Sequence, residues 1–285
     1  WMHHFGRGIV STPADFGFLG ERPTHPELLD WLADEFVRSG WNIKAMHRLM
    51  VTSTAYRQSS YRTDALQEAD PDNKLLGRMS VRRLEAEIIR DAALSVSGNL
   101  TAKLYGPSIG VAPDDVGQVV LGSGMRDGNG ILIGTAAALG REQFRRTVYI
   151  QERRSMPLGV LEPFDLPNVA PNCDRRTPST AAPQALLMMN NDVVLKQAEQ
   201  FAQRVTADTG DDRTAQITRA WQLAFSRSPT PSELTQSLEF LAAQEQDFSA
   251  LPPPEKDKPA PQPALMALST LCQALLCSNQ FLYVE

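Results

Sequence analysis

Thr24-His-Pro-Glu-Leu-Leu-Asp-Trp-Leu-Ala-Asp-Glu-Phe-Val-Arg-Ser-Gly40 carries a helix start, a helix face and a helix stop in one run. Thr24 fits an N-cap, Pro26 falls in the first turn, and Glu27 stands three residues after Thr24 as a capping box requires. Leu28, Leu29, Trp31, Leu32, Phe36 and Val37 recur at helical spacing and form one apolar stripe. Gly40 suits the left-handed position just past the end. Asn42 then caps a second helix through about Ala55, with Ile43, Met46, Leu49 and Met50 on its apolar face. The short connection predicts an antiparallel or angled helix pair.

The same signals recur downstream. Asp70-Pro-Asp-Asn73 is turn chemistry, and a helix is predicted from about Ser80 to Ser97, closed by Gly98, with Arg83 and Glu87 placed to pair across one turn. Ser179 or Thr180 can start another helix, interrupted at Asn190-Asn191 and continued through Val205. Further helices are predicted over Asp212 to Phe225, from Pro231 with Leu234, Leu238, Phe240 and Leu241 inward, and over Ala264 to Ser278. Between them the pattern fades. Val119-Val-Leu121 and Ile131-Leu-Ile133 suggest a small hairpin, Thr147 to Ile150 a short strand, and the proline-rich 157–183 stretch an extended path. The expected fold is mainly α: an irregular helical domain with long loops and at most a small β-hairpin. One helical domain is expected over 1–285, with 106–180 a loop-rich insertion and 249–263 a Pro-rich linker or loop.

Hydrophobic residues make up 42% of the 285, which suits a packed core and argues against wholesale disorder. A net charge of -5 argues against a general nucleic-acid binder. No apolar run is long enough for a membrane span. Cys173, Cys272 and Cys277 are too few for a disulfide framework, and the last two sit among leucines, so they read as buried free thiols. One disulfide involving Cys173 stays open. No C-x-x-C-H haem-attachment motif occurs.

Two constellations stand out. His3, His4 and His25, with Asp15 nearby in sequence, offer the nitrogen and oxygen donors that zinc takes. Their spacing matches no metal motif, so the competing reading is structural: His25 in a helix first turn, His3 and His4 bonded to backbone. Arginines recur at Arg7, Arg82, Arg83, Arg153, Arg154, Arg175 and Arg176, with a further doublet at Arg145-Arg146. A guanidinium fork donates two parallel hydrogen bonds to a sulfate, phosphate or carboxylate. The competing reading is that these arginines tie loops to helix ends and to acidic partners.

Acid–base chemistry would draw on Asp30, Glu35, Glu85, Glu87 or Asp91, but no second carboxylate stands at a diagnostic spacing. A serine nucleophile has little support: Gly106-Pro-Ser-Ile-Gly110 only outlines the nucleophile elbow, and Gly122-Ser-Gly124 is an incomplete glycine motif. Any triad would need a histidine from the first 47 residues.

His4-Phe-Gly-Arg-Gly-Ile-Val10, Thr12-Pro-Ala-Asp-Phe-Gly17, Ser53-Thr-Ala-Tyr-Arg-Gln-Ser-Ser60, Arg82-Arg-Leu-Glu-Ala-Glu87, Cys173-Asp-Arg-Arg176, Pro183-Gln-Ala-Leu186 and Ser278-Asn-Gln-Phe-Leu282 together resemble the planctomycete-type PSD domain of unknown function. The resemblance runs in order over nearly the whole chain. It implies a place in large exported bacterial proteins that commonly carry a cytochrome-c-like domain, and hence an extracytoplasmic setting. It implies no established catalytic residues. Trp1 reads as a cut end, so haem is expected ahead of this chain and no cofactor within it. The function expected is an accessory or interaction domain that packs against neighbouring domains of its polypeptide and binds an anionic polysaccharide. The alternative is a metal-assisted or acid–base hydrolase acting on polysaccharide. A purely structural interaction domain would instead expose an apolar patch.

Overall fold

The computed structural model describes residues 1–114, 116–122, 139–167, 176, 179, 182–252 and 262–284. Its contacts gather into two compact units. The first comprises Trp1–Arg83 with the terminal Tyr283 and Val284; the second comprises the described residues of Leu84–Leu282.

The first unit holds α1 (Met2–Phe5), α2 (Pro26–Arg38), α3 (Ile43–Thr52), α4 (Asp64–Ala69), and strands β1 (Arg82–Arg83) and β4 (Tyr283–Val284). Its small core gathers Phe5, Ile9, Met46 and Met79. Trp1 stacks on Phe5, and Tyr56 meets both Phe5 and His4 edge-on. Gly40 takes φ 72° and closes α2 as its sequence position requires. Asn42 caps α3 by accepting from the Ala45 N–H at 3.0 Å. Thr24 does not cap α2. Its hydroxyl is claimed by the Ile9 carbonyl and the His25 ring, and α2 starts at Pro26 without a side-chain cap. No residue of α2 is buried, and Phe16, Phe18, Leu19, Trp31, Trp41 and Ile43 are exposed.

β1 corrects the expected Ser80 to Ser97 helix. Arg82 and Arg83 pair antiparallel with Val284 and Tyr283, and the helix begins only at Ala86. A strand at 82–83 rules out the one-turn pairing of Arg83 with Glu87, because that pairing needs both residues on one helix face. Helical periodicity was a poor guide here because the partner strand lies two hundred residues away in sequence.

The second unit contains α5 (Ala86–Val96), the hairpin β2 (Val111–Pro113) and β3 (Val119–Leu121), and then α6 (Ala182–Asn190), α7 (Asp192–Thr209), α8 (Arg213–Phe225), α9 (Pro231–Ser249), α10 (Pro263–Cys277) and α11 (Asn279–Leu282). The whole chain is mainly helical, with two small antiparallel sheets among the described residues. α10 packs chiefly on α7 and α9. Ala267, Leu268, Leu271, Cys272, Leu275 and Leu276 recur at four-residue steps and form a wide buried stripe. Fully buried Ala202, Ala220 and Ala267 allow close helix approach around Phe201, Ile217 and Leu241. Truncating Phe201 to alanine in such a core costs on the order of 3–5 kcal/mol.

Several boundaries follow the sequence reading. Asn191 caps α7 after α6 stops at Asn190, Asp212 caps α8, and Thr230 with Glu233 forms a full capping box on α9. The Thr147 to Ile150 stretch differs. It forms a 3-10 turn over Thr147–Tyr149, and only Ile150 makes an isolated bridge, to Ile109. Ile131 to Ile133, Cys173, Thr180 and most of the 249–263 stretch lie outside the described residues. Cys272 is fully buried, but Cys277 is only partly so and donates through Sγ to the Met188 carbonyl at 3.3 Å.

Candidate functional site

The site begins with two buried arginines. Arg90, on the core face of α5, donates to the Gln143 carbonyl at 2.6 Å, the Arg145 carbonyl at 3.1 Å and Thr147 Oγ1 at 3.0 Å. Asp91 beside it accepts from the Thr147 N–H at 2.8 Å and from Thr147 Oγ1 at 2.6 Å. Burial pulls the Arg90 guanidinium down to about 10, partly offset by Asp91, so it stays charged at neutral pH. Arg145 is completely buried and donates to the Tyr105 carbonyl at 2.5 Å and the Pro107 carbonyl at 3.1 Å, with Tyr149 stacked 3.9 Å away. The Arg90 fork ties otherwise irregular chain to α5, and the Arg145 fork ties residues 105–107 to that chain, because each satisfies carbonyls that no helix or sheet serves.

The loop so anchored borders a cleft of about 360 Å³ within the second unit. Arg153 and Arg154 line it, as do Glu87, Glu152, Glu162 and Asp165, above an apolar floor that includes Leu158 and Leu161. Arg176 stands against Glu87 in a two-pronged pair, 2.7 Å and 2.9 Å. Burial works against charge on Glu87, yet the Arg176 hydrogen bonds outweigh it and hold the carboxyl below its ordinary range. A carboxylate so held is an anchor rather than a proton donor near neutral pH. Asp165 takes a left-handed backbone at φ 58° and accepts from both the N–H and the hydroxyl of Ser179, each at 2.7 Å.

The seven arginines singled out in the sequence therefore separate. Arg153 and Arg154 line one cleft, and Arg176 pairs with a third residue of its lining. Arg7, Arg82 and Arg83 belong to the other unit, where Arg82 Nη1 donates to the His3 carbonyl. Arg175 lies outside the described residues. Glu152, Glu162 and Asp165 were missed. Glu152 adjoins the Arg153-Arg154 doublet, and that alternation of charge was the available signal.

The histidines do not gather as the metal reading required. His4 Nε2 lies 2.7 Å from Nδ1 of His47, a residue outside the expected set. His25 Nδ1 meets the Thr24 hydroxyl at 2.9 Å, and Asp15 Oδ1 accepts from the Gly17 N–H at 2.8 Å. Among the described residues no group of three or more His, Cys, Asp or Glu side chains is placed to hold a metal ion. No helix among them is long and apolar enough to cross a membrane.

A mainly helical protein with a mixed-charge cleft in its second unit is the class these observations define. The chain belongs to the PSD1 family, a family of proteins of unknown function (DUF1553), whose model matches residues 1–241. No curated protein and no solved structure matches it.

Proposed function

We propose that this chain is an accessory binding domain of an exported, cytochrome-c-linked multidomain protein, and that its cleft takes an anionic saccharide. The observation that carries the binding half is the placing of Arg153 and Arg154 with four carboxylates in one cleft of about 360 Å³. That volume falls within the range of small-ligand sites. Guanidiniums donate to a sulfate or uronate group, while carboxylates accept from sugar hydroxyls, so the mixture suits a ligand bearing both. Glu87, engaged by Arg176, favours binding over acid–base hydrolysis at this cleft. The exported, cytochrome-linked setting is supported by the resemblance to planctomycete-type PSD domains. Its partners on this reading are neighbouring domains of the same polypeptide.

An array of sulfated and uronic-acid polysaccharides tests the reading. The expected result is binding to at least one polymer that falls roughly tenfold in Arg153→Ala or Arg154→Ala, the equivalent of one lost charged contact. Binding unaffected by both substitutions, or no binding, overturns it.

A further inference from the structure

We propose that the Arg153–Arg154 cleft and a larger cavity beyond Leu158 are successive subsites of one groove for an oligosaccharide; this rests on the saccharide reading above. The larger cavity, about 620 Å³, lies in the same unit, between α5, the β2–β3 hairpin and α7. Leu158 lines both spaces. The backbone beside it is fixed. The Gly159 N–H donates to the Val119 carbonyl at 2.9 Å, and a Cβ on Gly159 would stand 3.3 Å from that oxygen. One buried group supports both walls: Arg90 lines the larger cavity and donates to Thr147, which lines the smaller cleft.

The two spaces differ in chemistry. The cleft presents guanidiniums and carboxylates beside Gln151, whereas the cavity presents several carboxamides and an apolar wall that includes Phe144 and Val120, with Asp114, Asp192, Lys196 and Glu199 on its lining as well. Gln143 and Gln197 in that wall are already committed, one to the Gly140 carbonyl and the other to Ser97 and Asn99. Gln118 and Gln200 have no side-chain partner among the described residues. A carboxamide both donates and accepts, as a sugar hydroxyl does, and a pyranose has an apolar face to lay on Phe144. The cavity thus offers hydroxyl partners and a stacking face to a further sugar of the chain, next to the charged one at Arg153 and Arg154. The ligand class is an acidic or sulfated oligosaccharide longer than two units.

Calorimetric titration of the whole chain with oligogalacturonates and with sulfated carrageenan oligosaccharides, each of two, four and six sugars, tests this. In at least one series affinity should rise roughly tenfold from two sugars to six, the signature of a second engaged subsite. Gln200→Ala should keep the two-sugar affinity and lose the rise, while Arg154→Ala should weaken every length; thermal melting of each variant checks that it is folded. Two-sugar binding that depends on Arg154 but shows no gain with length, or a gain untouched by Gln200→Ala, overturns the groove and leaves the cleft reading standing. No binding in either series overturns both.

Discussion

Arg176 and Glu87 lie 89 positions apart in sequence and meet through two parallel hydrogen bonds of 2.7 Å and 2.9 Å. The pair fastens the chain at Arg176 to the first turn of α5 at the edge of the cleft. Both side chains are partly buried, so the contact is shielded better than a surface ion pair. Arg176→Ala is expected to cost about 1–2 kcal/mol in denaturant unfolding, since it strands a half-buried carboxylate. Glu87 has a lowered carboxyl, so its contribution is present above the ordinary carboxylate range and is lost as pH falls through the lowered value. The Arg176→Ala deficit should therefore shrink in acid, and a constant deficit down to pH 2 would contradict the pairing.

The α9 cap gives a second pH-dependent contact. Arg227 grips Glu233 at 2.7 Å and 2.8 Å, and the Thr230 N–H donates to the same carboxylate, which together hold it down to about 2. Its stabilising contribution is in place above about 4.3, the unfolded value, and disappears between there and 2. Carboxyl NMR should find Glu233 titrating near 2. Thr230→Ala should lower stability by about 1 kcal/mol through loss of the cap.

Replacing Arg145 probes how much of the loop rests on one fork. Arg145→Ala leaves the Tyr105 and Pro107 carbonyls without their donor and should cost roughly 3 kcal/mol. Arg145→Lys should not restore stability, because an ammonium cannot reproduce the planar fork or its stacking on Tyr149. Thermal melting of the two variants measures this, and full rescue by lysine would show that charge alone matters.

His4 and His47 share a 2.7 Å contact that needs one donor and one acceptor, hence at least one neutral ring. Burial and then the neighbouring His47 lower the His4 value. A depressed histidine stabilises the fold above its unfolded value near 6.5, and that contribution is lost as pH falls toward the folded value. Protection from hydrogen exchange at residues 2–5, taken relative to the intrinsic exchange rate at each pH, should fall in the wild type as pH drops below the ordinary histidine value. His47→Ala should show the reduced protection already at pH 8.

Thiol labelling followed by peptide mapping separates the cysteines. Burial pushes the Cys272 thiol far up and the Cys277 thiol to about 11, so neither offers a nucleophilic thiolate at neutral pH. Cys277, being partly accessible, should label slowly and Cys272 only after denaturation. Rapid native labelling of Cys272 would mean that α10 leaves the core.

Local grammar was legible from the residues alone. Gly40, Asn42, Asn191, Asp212 and the wide stripe of α10 act through neighbours within one or two helical turns, so their spacing carries their structure. The arginine doublets likewise announced where positive charge concentrates along the chain. Which arginine would line a cleft and which would brace the loop was not legible. Arg145 is sealed against Tyr149 while Arg153 and Arg154 line a cleft, and the difference lies in contacts set by distant chain. Arg82 and Arg83 became a strand because Val284 and Tyr283 supply ladder partners, overriding the local helical pattern. His4 found His47 instead of His25 for the same reason. Sequence determined the mainly helical class and most helix ends, because caps, turns and amphipathic stripes are short-range. Only the tertiary structure decided the cleft, since a carboxylate such as Glu87 gains its partner, and its lowered proton affinity, from a residue 89 positions away.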